Sequence, residues 1–330
     1  MSKELVSVIL PCYNVQEYVE RAIDSVVNQT YSNIEVVAVN DGSTDDTLAV
    51  LYNLRTRFAN LVVINQKNQG LVEARKRGLK NANGKFILFL DGDDWLENNC
   101  IEELYKTAND KKADVVLYNA YMVYDDRKEI FDTFIEKFID DIKKNPVKNL
   151  LLLNISPTIW SKFIKKSFLE ENNIEFPQNI SYAEDLAAVL NIFINKPKIV
   201  CNEKRFYNYY QRNDSISNKI SSKVLEIDDA IQFIKEKLVE MNIYYENKEE
   251  FEYTVFRHLL ISKILRFNYL YPERKKVFQQ YKARNIDINK NKYIIRDLSY
   301  GNRNLKLRIN LYNLNYSIAT LCDKSLGYVK

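Results

Sequence analysis

Short apolar runs alternate with amphipathic stretches along the first 120 residues. The runs are rich in Val, Ile and Leu, a composition that favours strands. They occupy residues 5–10, 34–39, 61–65, 85–90 and 114–120. Apolar residues at helical spacing fill the intervals 15–28, 44–58, 70–82 and 98–111. Strands that alternate with helices predict an α/β fold, a mainly parallel sheet with helices on both faces.

The pattern changes after this alternation. Residues 120–145 are less regular and predict a hairpin, and a helix should begin near Ala183. Residues 198–212 have the pattern of an extended segment, whereas the chain from 223 onward is largely helical in pattern.

The length of 330 residues suits either one large domain or a domain of roughly 200–250 residues with an appendage. We expect an α/β domain over 1–220, with halves 1–120 and 121–220, followed by a basic, mainly helical region over 221–330.

Composition excludes several classes of protein. With 46% hydrophobic and 28% charged residues, the chain reads as globular, and it has no apolar run of the roughly 18 residues that a membrane span needs. The N-terminus reads as a first strand rather than a signal peptide, so we expect a cytoplasmic protein, with a peripheral position at the inner face of the cell membrane left open. Four widely separated cysteines form no CxxC pair, and the one histidine, His258, lies in a helical pattern. This argues against a zinc site, a disulfide framework and a His-dependent triad.

Charge is unevenly divided along the chain. Residues 262–330 hold 15 Lys+Arg and 4 Asp+Glu, a balance of +11, whereas the first 261 residues hold 33 and 40, a balance of −7. The basic segment has three interpretations: contact with an anionic membrane surface or lipid-linked acceptor, a homodimer contact, or a solvated helical subdomain. The acidic front of the chain argues against nucleic-acid binding.

Acidic residues follow two of the predicted strands. "FILFLDGDDWLE" places Asp91, Asp93 and Asp94 directly after a core strand, and "VVAVNDGS" places Asp41 after another. Neighbouring carboxylates repel, so a cation is expected there, and hard divalent ions prefer oxygen ligands. In a parallel sheet both loops lie at the edge where ligands bind.

The segments "VSVILPCYN", "VVAVNDGSTDDT", "NQGLVEARKRGLKNANGKFILFLDGDDWLE" and "SYAEDLAAV" together resemble the family 2 glycosyltransferases. The resemblance covers roughly residues 5–217. It implies the Rossmann-like GT-A fold, a UDP-sugar donor, Mn²⁺ or Mg²⁺ as cofactor, and a bacterial setting. The reaction implied is transfer with inversion.

The resemblance also implies residue roles on the donor side. Asp41 should face the uracil, although the family often has Asp-Asp where this chain has Asn40 and Asp41. Asp91 should contact the ribose, and Asp93 should be the metal ligand. The other donor-binding positions implied are Pro11, Tyr13, Asn14, Asn68, Gly70, Arg75 and Gly92. The alternative for Arg75 is a surface ion pair with Glu73.

The catalytic and acceptor positions lie later in the chain. Similar enzymes carry an acidic pair whose Asp is the general base, which implies Asp185 as base and Glu184 as second candidate and acceptor contact. The alternative is that these acids merely favour a helix N-terminus. Trp160 matches a position near the acceptor, and a buried core Trp is the alternative.

The end of the resemblance, "YNYYQRNDSIS", contains candidates for binding the diphosphate. They are Gln211, Arg212, Ser215 and Ser217, of which Arg212 is the one whose charge could neutralise it.

These positions predict transfer of a hexose or N-acetylhexosamine to a hydroxyl of a glycan, lipid-linked or glycoprotein acceptor. The products would belong to capsule, exopolysaccharide, lipopolysaccharide or surface glycoprotein glycans. The alternative is a non-catalytic sugar-nucleotide-binding or scaffold protein. A nucleotidyltransferase would need a Gly-rich loop after the first strand, and a dinucleotide dehydrogenase would need GxGxxG; the sequence has neither.

Overall fold

The structure, a computed structural model, describes residues 3–178, 180, 182–212, 222–266, 273–301 and 303–325. The chain divides into two compact units. The first comprises Met1–Leu150 and Asn154–Lys219, and the second Leu151–Leu153 and Ile220–Lys330.

The alternation of strands and helices predicted for the first 120 residues is confirmed. In chain order the elements are β1 (Val6–Cys12), α1 (Val19–Val27), β2 (Ile34–Asp41), α2 (Thr47–Arg57), β3 (Leu61–Gln66), α3 (Leu71–Asn81), β4 (Phe86–Phe89), β5 (Trp95–Leu96) and α4 (Cys100–Lys111). Helix α1 shows why periodicity worked, since Val19, Ala22, Ile23 and Val26 lie on one face and are all buried.

The rest of the first unit adds strands of mixed direction. Its elements are β6 (Val115–Val123), β7 (Lys128–Phe131), α5 (Ile139–Lys144), α6 (Pro146–Leu151), β8 (Lys162–Lys165), α7 (Lys166–Glu171), α8 (Glu184–Phe193) and β9 (Ile199–Tyr210). The antiparallel pair of β6 and β7 is the predicted hairpin, and α8 begins at the predicted acidic pair.

One sheet contains all nine of these strands, in the order β3-β2-β1-β4-β8-β6-β9-β5, with β7 paired to β6. Strands β3, β2, β1 and β4 are mutually parallel. Strand β8 is antiparallel to both β4 and β6. The mainly parallel α/β sheet is therefore confirmed, and the carboxyl ends of β1, β2 and β4 meet at one edge.

The second unit is helical, as the pattern after 223 predicts. Its helices are α9 (Ile227–Glu240), α10 (Lys248–Val255), α11 (Glu273–Ala283), α12 (Lys292–Tyr300), α13 (Arg303–Leu314) and α14 (Tyr316–Ser325), with a π-helical segment Phe256–Ile264 after α10. Its own core includes Ile231, Ile234, Leu238 and Leu259. Across the described ranges, every helix is too short or too polar to cross a membrane.

Candidate active site

Asp41, the last residue of β2, fastens the loop that precedes α3. The side chain is 3% exposed. Its Oδ1 accepts hydrogen bonds from Gln66 Nε2 at 2.8 Å and from the amide of Gln69 at 2.9 Å, and its Oδ2 accepts one from the amide of Gly70 at 2.8 Å. Asp41 therefore determines the position of the segment that contains Asn68 and Gly70.

The loop after β1 is joined to the loop after β2. Pro11 lies buried in β1 opposite Val39, and Tyr13 beyond it is 44% exposed. Asn14 takes a positive φ of 54°. The side-chain Oδ1 of Asn14 accepts a hydrogen bond from the backbone amide of Thr44 at 2.8 Å, and the backbone amide of Asn14 donates to Ser43 Oγ at 3.1 Å. The structure thus places three of the predicted donor-binding residues, Pro11, Tyr13 and Asn14, beside the loop that follows β2.

The acidic loop after β4 is anchored on β9 through Asp94. This carboxylate is fully buried and accepts hydrogen bonds from the hydroxyl of Tyr207 and the amide of Tyr210, both at 2.7 Å. Burial raises the pKa of Asp94 well above its usual value, with the charge of Asp93 as the second cause. On the other side of the loop, a Cβ at Gly92 would lie 3.3 Å from the carbonyl oxygen of Pro11, so the loop packs closely against β1.

Asp93 lies among cationic groups. Its Oδ2 is 3.0 Å from Arg212 Nε, and its carbonyl oxygen accepts a hydrogen bond from Arg21 Nη2 at 2.8 Å. The guanidinium of Arg212 also lies over the ring of Tyr18. The structure therefore brings the candidate for diphosphate binding, Arg212, next to the candidate metal ligand.

Of the other candidates at the end of the resemblance, Gln211 is the one that the structure describes. Gln211 continues the pairing of β9 with β6, because its amide donates a hydrogen bond to the carbonyl of Val123 at 2.7 Å. This contact fixes the backbone just before Arg212. Ser215 and Ser217 lie outside the described residues.

Arg75 joins the acidic loop to the acidic pair of α8. The arginine is 1% exposed, and its Nη1 donates to Asp185 Oδ1 at 2.6 Å while its Nη2 donates to Asp91 Oδ1 at 3.1 Å. Glu184 Oε1 is 3.8 Å from the same Nη1. The alternative of a surface pair with Glu73 is wrong, because Glu73 pairs with Lys76 and Arg75 points inward.

Burial changes the proton affinity of this cluster. It raises the pKa of Glu184 to about 7, helped by the charge of Asp185 and opposed by Arg75. It also raises the pKa of Asp91, again opposed by Arg75. The second oxygen of Asp185, Oδ2, accepts a hydrogen bond from the amide of Ile159 at 3.1 Å. Glu184 and Asp185 thus place two carboxylates side by side. Glu184 has a raised pKa, whereas Asp185 accepts hydrogen bonds from Arg75 and from the Ile159 amide.

Trp160 does not have the exposure that sugar stacking requires. It is 3% exposed, and its ring stacks on Tyr207 with centroids 4.2 Å apart and planes 14° apart. A sugar stacks on an aromatic face only if that face is open, so the structure does not support the acceptor contact implied for Trp160. It supports the alternative, a core tryptophan.

Comparison with known proteins identifies the family. The family described as "Glycosyl transferase family 2" matches residues 7–168. Glycosyltransferase GlyG of Streptococcus pneumoniae is 31% identical over 225 residues, which cover 64% of this chain and 73% of that protein. The chain belongs to glycosyl transferase family 2.

Other family 2 relatives extend beyond the matched part. Glycosyltransferase GlyA of S. pneumoniae is 30% identical over 230 residues, 66% of this chain and 32% of GlyA. The putative glycosyltransferase EpsH of Bacillus subtilis is 29% identical over 229 residues, 68% of this chain and 66% of EpsH. The chain therefore spans about a third of the length of GlyA and about two thirds of the length of EpsH.

Solved structures confirm the GT-A fold. S. aureus TarS 1–349 in complex with UDP-GlcNAc superposes with a TM-score of 0.70 at 20% identity, over 84% of this chain and 79% of that one. Mannosyltransferase PcManGT from Pyrobaculum calidifontis, in complex with GDP-Man and Mn²⁺, superposes with a TM-score of 0.56 at 14% identity, over 98% and 87%.

The residues of this family 2 domain fit a divalent cation only if the ligand supplies part of the coordination shell. Among the described residues, no group of three or more His, Cys, Asp or Glu is arranged to hold a metal. Mg²⁺ commonly binds one or two carboxylates together with substrate phosphates, which matches a single Asp93 at a strand end. An ion at Asp93 would have to share the carboxylate with Arg212 or displace it.

Sequence reasoning missed Lys162, which lies behind the acidic pair. This lysine is fully buried in β8, and its ammonium donates to the carbonyls of Ser156 at 2.5 Å and Thr158 at 2.7 Å and to Ser161 Oγ at 2.9 Å. Burial lowers the pKa of Lys162 to about 7, opposed by the charge of Asp185. The loop that it holds is the one whose Ile159 amide binds Asp185. A lysine in "TIWSKFIKK" has no sequence signal that separates it from its surface neighbours.

Proposed function

We propose that the chain is an inverting, metal-dependent glycosyltransferase that moves a hexose or N-acetylhexosamine from a UDP-sugar to a hydroxyl of a glycan acceptor. Family membership supports the reaction class. The UDP-GlcNAc complex of TarS supports the donor class, and a Bacillus spizizenii relative named poly(ribitol-phosphate) beta-glucosyltransferase supports a surface-polymer acceptor. Capsule, exopolysaccharide, lipopolysaccharide and surface glycoprotein glycans are the acceptors that the proposal covers.

The observation that carries the proposal is the bridge that Arg75 makes. One guanidinium contacts Asp91, which lies on the proposed donor side, and Asp185, the proposed base, 94 positions further along the chain by their numbers. A transfer reaction needs the base and the donor's anomeric carbon within one short distance. The bridge supports a single site formed by residues from both halves of the α/β domain.

Asp185 has the capacity for the proton transfer that we assign to it. Each carboxylate oxygen has two lone pairs, so Asp185 can keep its bonds from Arg75 and the Ile159 amide and still accept the acceptor hydroxyl. In the proposed reaction Asp185 removes the hydroxyl proton as the oxygen attacks the anomeric carbon, and the bond from that carbon to UDP breaks on the opposite face. A UDP-α-sugar then gives a β-linkage.

Negative charge develops on the departing UDP, and the chain offers groups that can balance it. Arg212 lies beside Asp93 and could donate to the diphosphate. Asp93 would hold Mn²⁺ or Mg²⁺ together with diphosphate oxygens, and the ion supplies positive charge at the leaving group. Asp41 orders the loop of Asn68 and Gly70, beside which we place the base and ribose.

The deciding experiment measures UDP release with a panel of UDP-sugars, with Mn²⁺, with Mg²⁺ and with chelator. We expect Asp185→Asn to lower turnover by about 10³-fold, within the usual range for loss of a general base, and to leave UDP affinity unchanged. Glu184→Gln is the matched control, an equally conservative change one position away, and should cost less than about tenfold. A fully active Asp185→Asn enzyme would show that Asp185 is not the base.

The alternative of a non-catalytic sugar-nucleotide-binding protein makes a different prediction. It requires binding of a UDP-sugar without UDP release on any acceptor. If calorimetry with Mn²⁺ detects no binding of any uridine diphosphate compound, both the transferase and this alternative are excluded.

A further inference from the structure

The last two described helices expose large aliphatic side chains. Leu307 and Leu314 on α13 are 52% and 80% exposed, and Ile318 and Leu321 on α14 are 48% and 67% exposed. We call these four residues the apolar surface. Single exposed aliphatic residues are ordinary, but four within fifteen positions indicate a surface that binds a partner.

Internal contacts of the two helices turn this surface outward. Arg308 Nε donates to Asp323 Oδ1 at 2.7 Å, and the Tyr312 hydroxyl donates to Asp323 Oδ2 at 2.6 Å, so α14 folds back on α13. Leu307 and Leu314 are seven positions apart and therefore share one stripe of α13, away from the stripe that holds Tyr312. The apolar side chains thus lie on faces that the helices do not use for each other.

The exposed charges on these two helices are of one sign. Residues 303–325 contain four Lys or Arg and one acidic residue, Asp323. Asp323 is buried and paired with Arg274 and Arg308, so it adds no negative charge to the exterior. The exposed charged side chains of this segment are all basic: Arg303, Lys306 and Lys324.

We propose that the apolar surface and its basic rim bind the headgroup region of an anionic lipid bilayer. Helices that lie in a membrane interface combine leucine-rich faces with flanking Lys and Arg, and each basic residue adds attraction to anionic lipid. A second protein with an acidic, apolar surface has the same charge complementarity in principle. The excess of basic residues over the whole of 262–330, 15 against 4, favours an extended anionic surface over one small patch.

Vesicle co-sedimentation tests the proposal with the full chain. Vesicles of phosphatidylglycerol and phosphatidylcholine in equal parts should bind it, phosphatidylcholine vesicles should bind at least about fivefold less, and raising NaCl from about 0.1 to about 0.5 M should release it. The double variant Leu314→Glu with Leu321→Glu should reduce the bound fraction at least about fivefold. Ile130→Glu is the matched control, because Ile130 on β7 is also 67% exposed and lies outside the helical unit.

A charge-reversal variant keeps the test valid if the double leucine variant is unstable. Arg303→Glu with Lys306→Glu changes only exposed side chains, and it should lower binding to anionic vesicles by a similar factor. Failure of the wild-type chain to bind anionic vesicles, equal binding to neutral vesicles, or full binding by both double variants overturns the proposal. A wild-type dimer that the leucine variant converts to monomer overturns it as well, since the surface would then join two copies.

Discussion

At the residue scale, the site depends on charged groups that are buried and therefore have to be paired. Arg75 is almost inaccessible, and an isolated guanidinium in such a place would cost several kcal/mol. Asp91 and Asp185 offset that cost, and the same contacts determine where their carboxylates lie. The side chains that we propose for binding and catalysis therefore also serve the structure.

Lys162 gives a test of how far this positioning extends. Lys162→Met keeps the length of the side chain but removes the hydrogen bond to the buried Ser156 carbonyl, at a cost of about 1–3 kcal/mol. The Thr158 carbonyl loses the lysine but keeps the hydrogen bond from the Ser161 hydroxyl. The Ile159 amide should then hold Asp185 less firmly, and we expect kcat to fall about tenfold or more while the donor KM changes less than about threefold.

Steady-state kinetics and thermal unfolding check this expectation. Lys165→Met is the control, a lysine of the same strand that is only partly buried. If Lys162→Met lowers the melting temperature but leaves kcat unchanged, Lys162 serves stability alone.

Glu184 should make stability depend on pH in a defined direction. Its pKa is about 7 in the folded chain against an ordinary 4.5, so the folded state binds a proton that the unfolded state releases between these values. The stabilising contribution is complete below about pH 4.5 and is lost as the pH rises through about 7, so the free energy of unfolding should fall across this window.

Urea unfolding of wild type and Glu184→Gln at pH 5 and pH 7.5 measures this contribution. The glutamine cannot titrate, so the fall should be smaller in the variant. Subtracting the fall measured for the variant from the fall measured for wild type removes the titration of other groups such as Asp91, whose raised pKa acts in the same direction. An equal fall in the free energy of unfolding between pH 5 and pH 7.5 in both proteins would contradict the assignment of this contribution to Glu184.

At the scale of elements, strand-end loops were predictable and long-range pairs were not. Periodicity indicated β1 to β4 and their helices, and parallel pairing then placed Asp41 and the acidic loop at one edge. Strand β5 escaped prediction because it has two residues, and β8 because lysines begin and end it. The contact of Arg75 with Asp185 joins α3 to α8, two helices far apart in the sequence, and no local pattern specifies such a contact.

The contact between two of these loops predicts a strong effect at Gly42. Gly42 has a φ of +67°, and an added Cβ would lie 2.6 Å from the Asn68 amide nitrogen. Gly42→Ala should therefore cost about 1–2 kcal/mol from φ alone, with more from the contact. Displacement of the loop should also break the hydrogen bonds that the Gln69 and Gly70 amides donate to Asp41, and weaken UDP binding about tenfold.

Gly70→Ala is the comparison for stability alone, because Gly70 also has a positive φ, +89°, but an added Cβ there meets nothing within 4 Å. Gly70 is itself a predicted donor-binding residue, so its UDP affinity does not serve as a control. Calorimetry with UDP and Mn²⁺ on Gly42→Ala and wild type, with the melting temperatures of both variants, gives the comparison. Wild-type affinity in Gly42→Ala would show that the loop contact does not shape the nucleotide site.

At the scale of the whole molecule, the chain has two units with separate cores and opposite charge. The described residues assigned to the site, from Pro11 to Arg212, all belong to the first unit. The helical unit buries its own residues, including Ile231 and Leu259, and the basic excess of the sequence lies within it. Donor binding should therefore affect the local stability of the two units differently.

Hydrogen exchange followed by mass spectrometry tests this difference. A ligand that binds only the folded first unit stabilises it by about 2.7 kcal/mol at a hundred times its dissociation constant, so amides of that unit that exchange through its global opening should slow by about a hundredfold. With UDP and Mn²⁺ we expect such slowing in β1, β2 and β4, with unchanged exchange in α9 to α14. Equal slowing in α9 to α14 would mean that both units open as one cooperative body, because protection spreads to helices without a ligand contact only when their opening requires the first unit to open too.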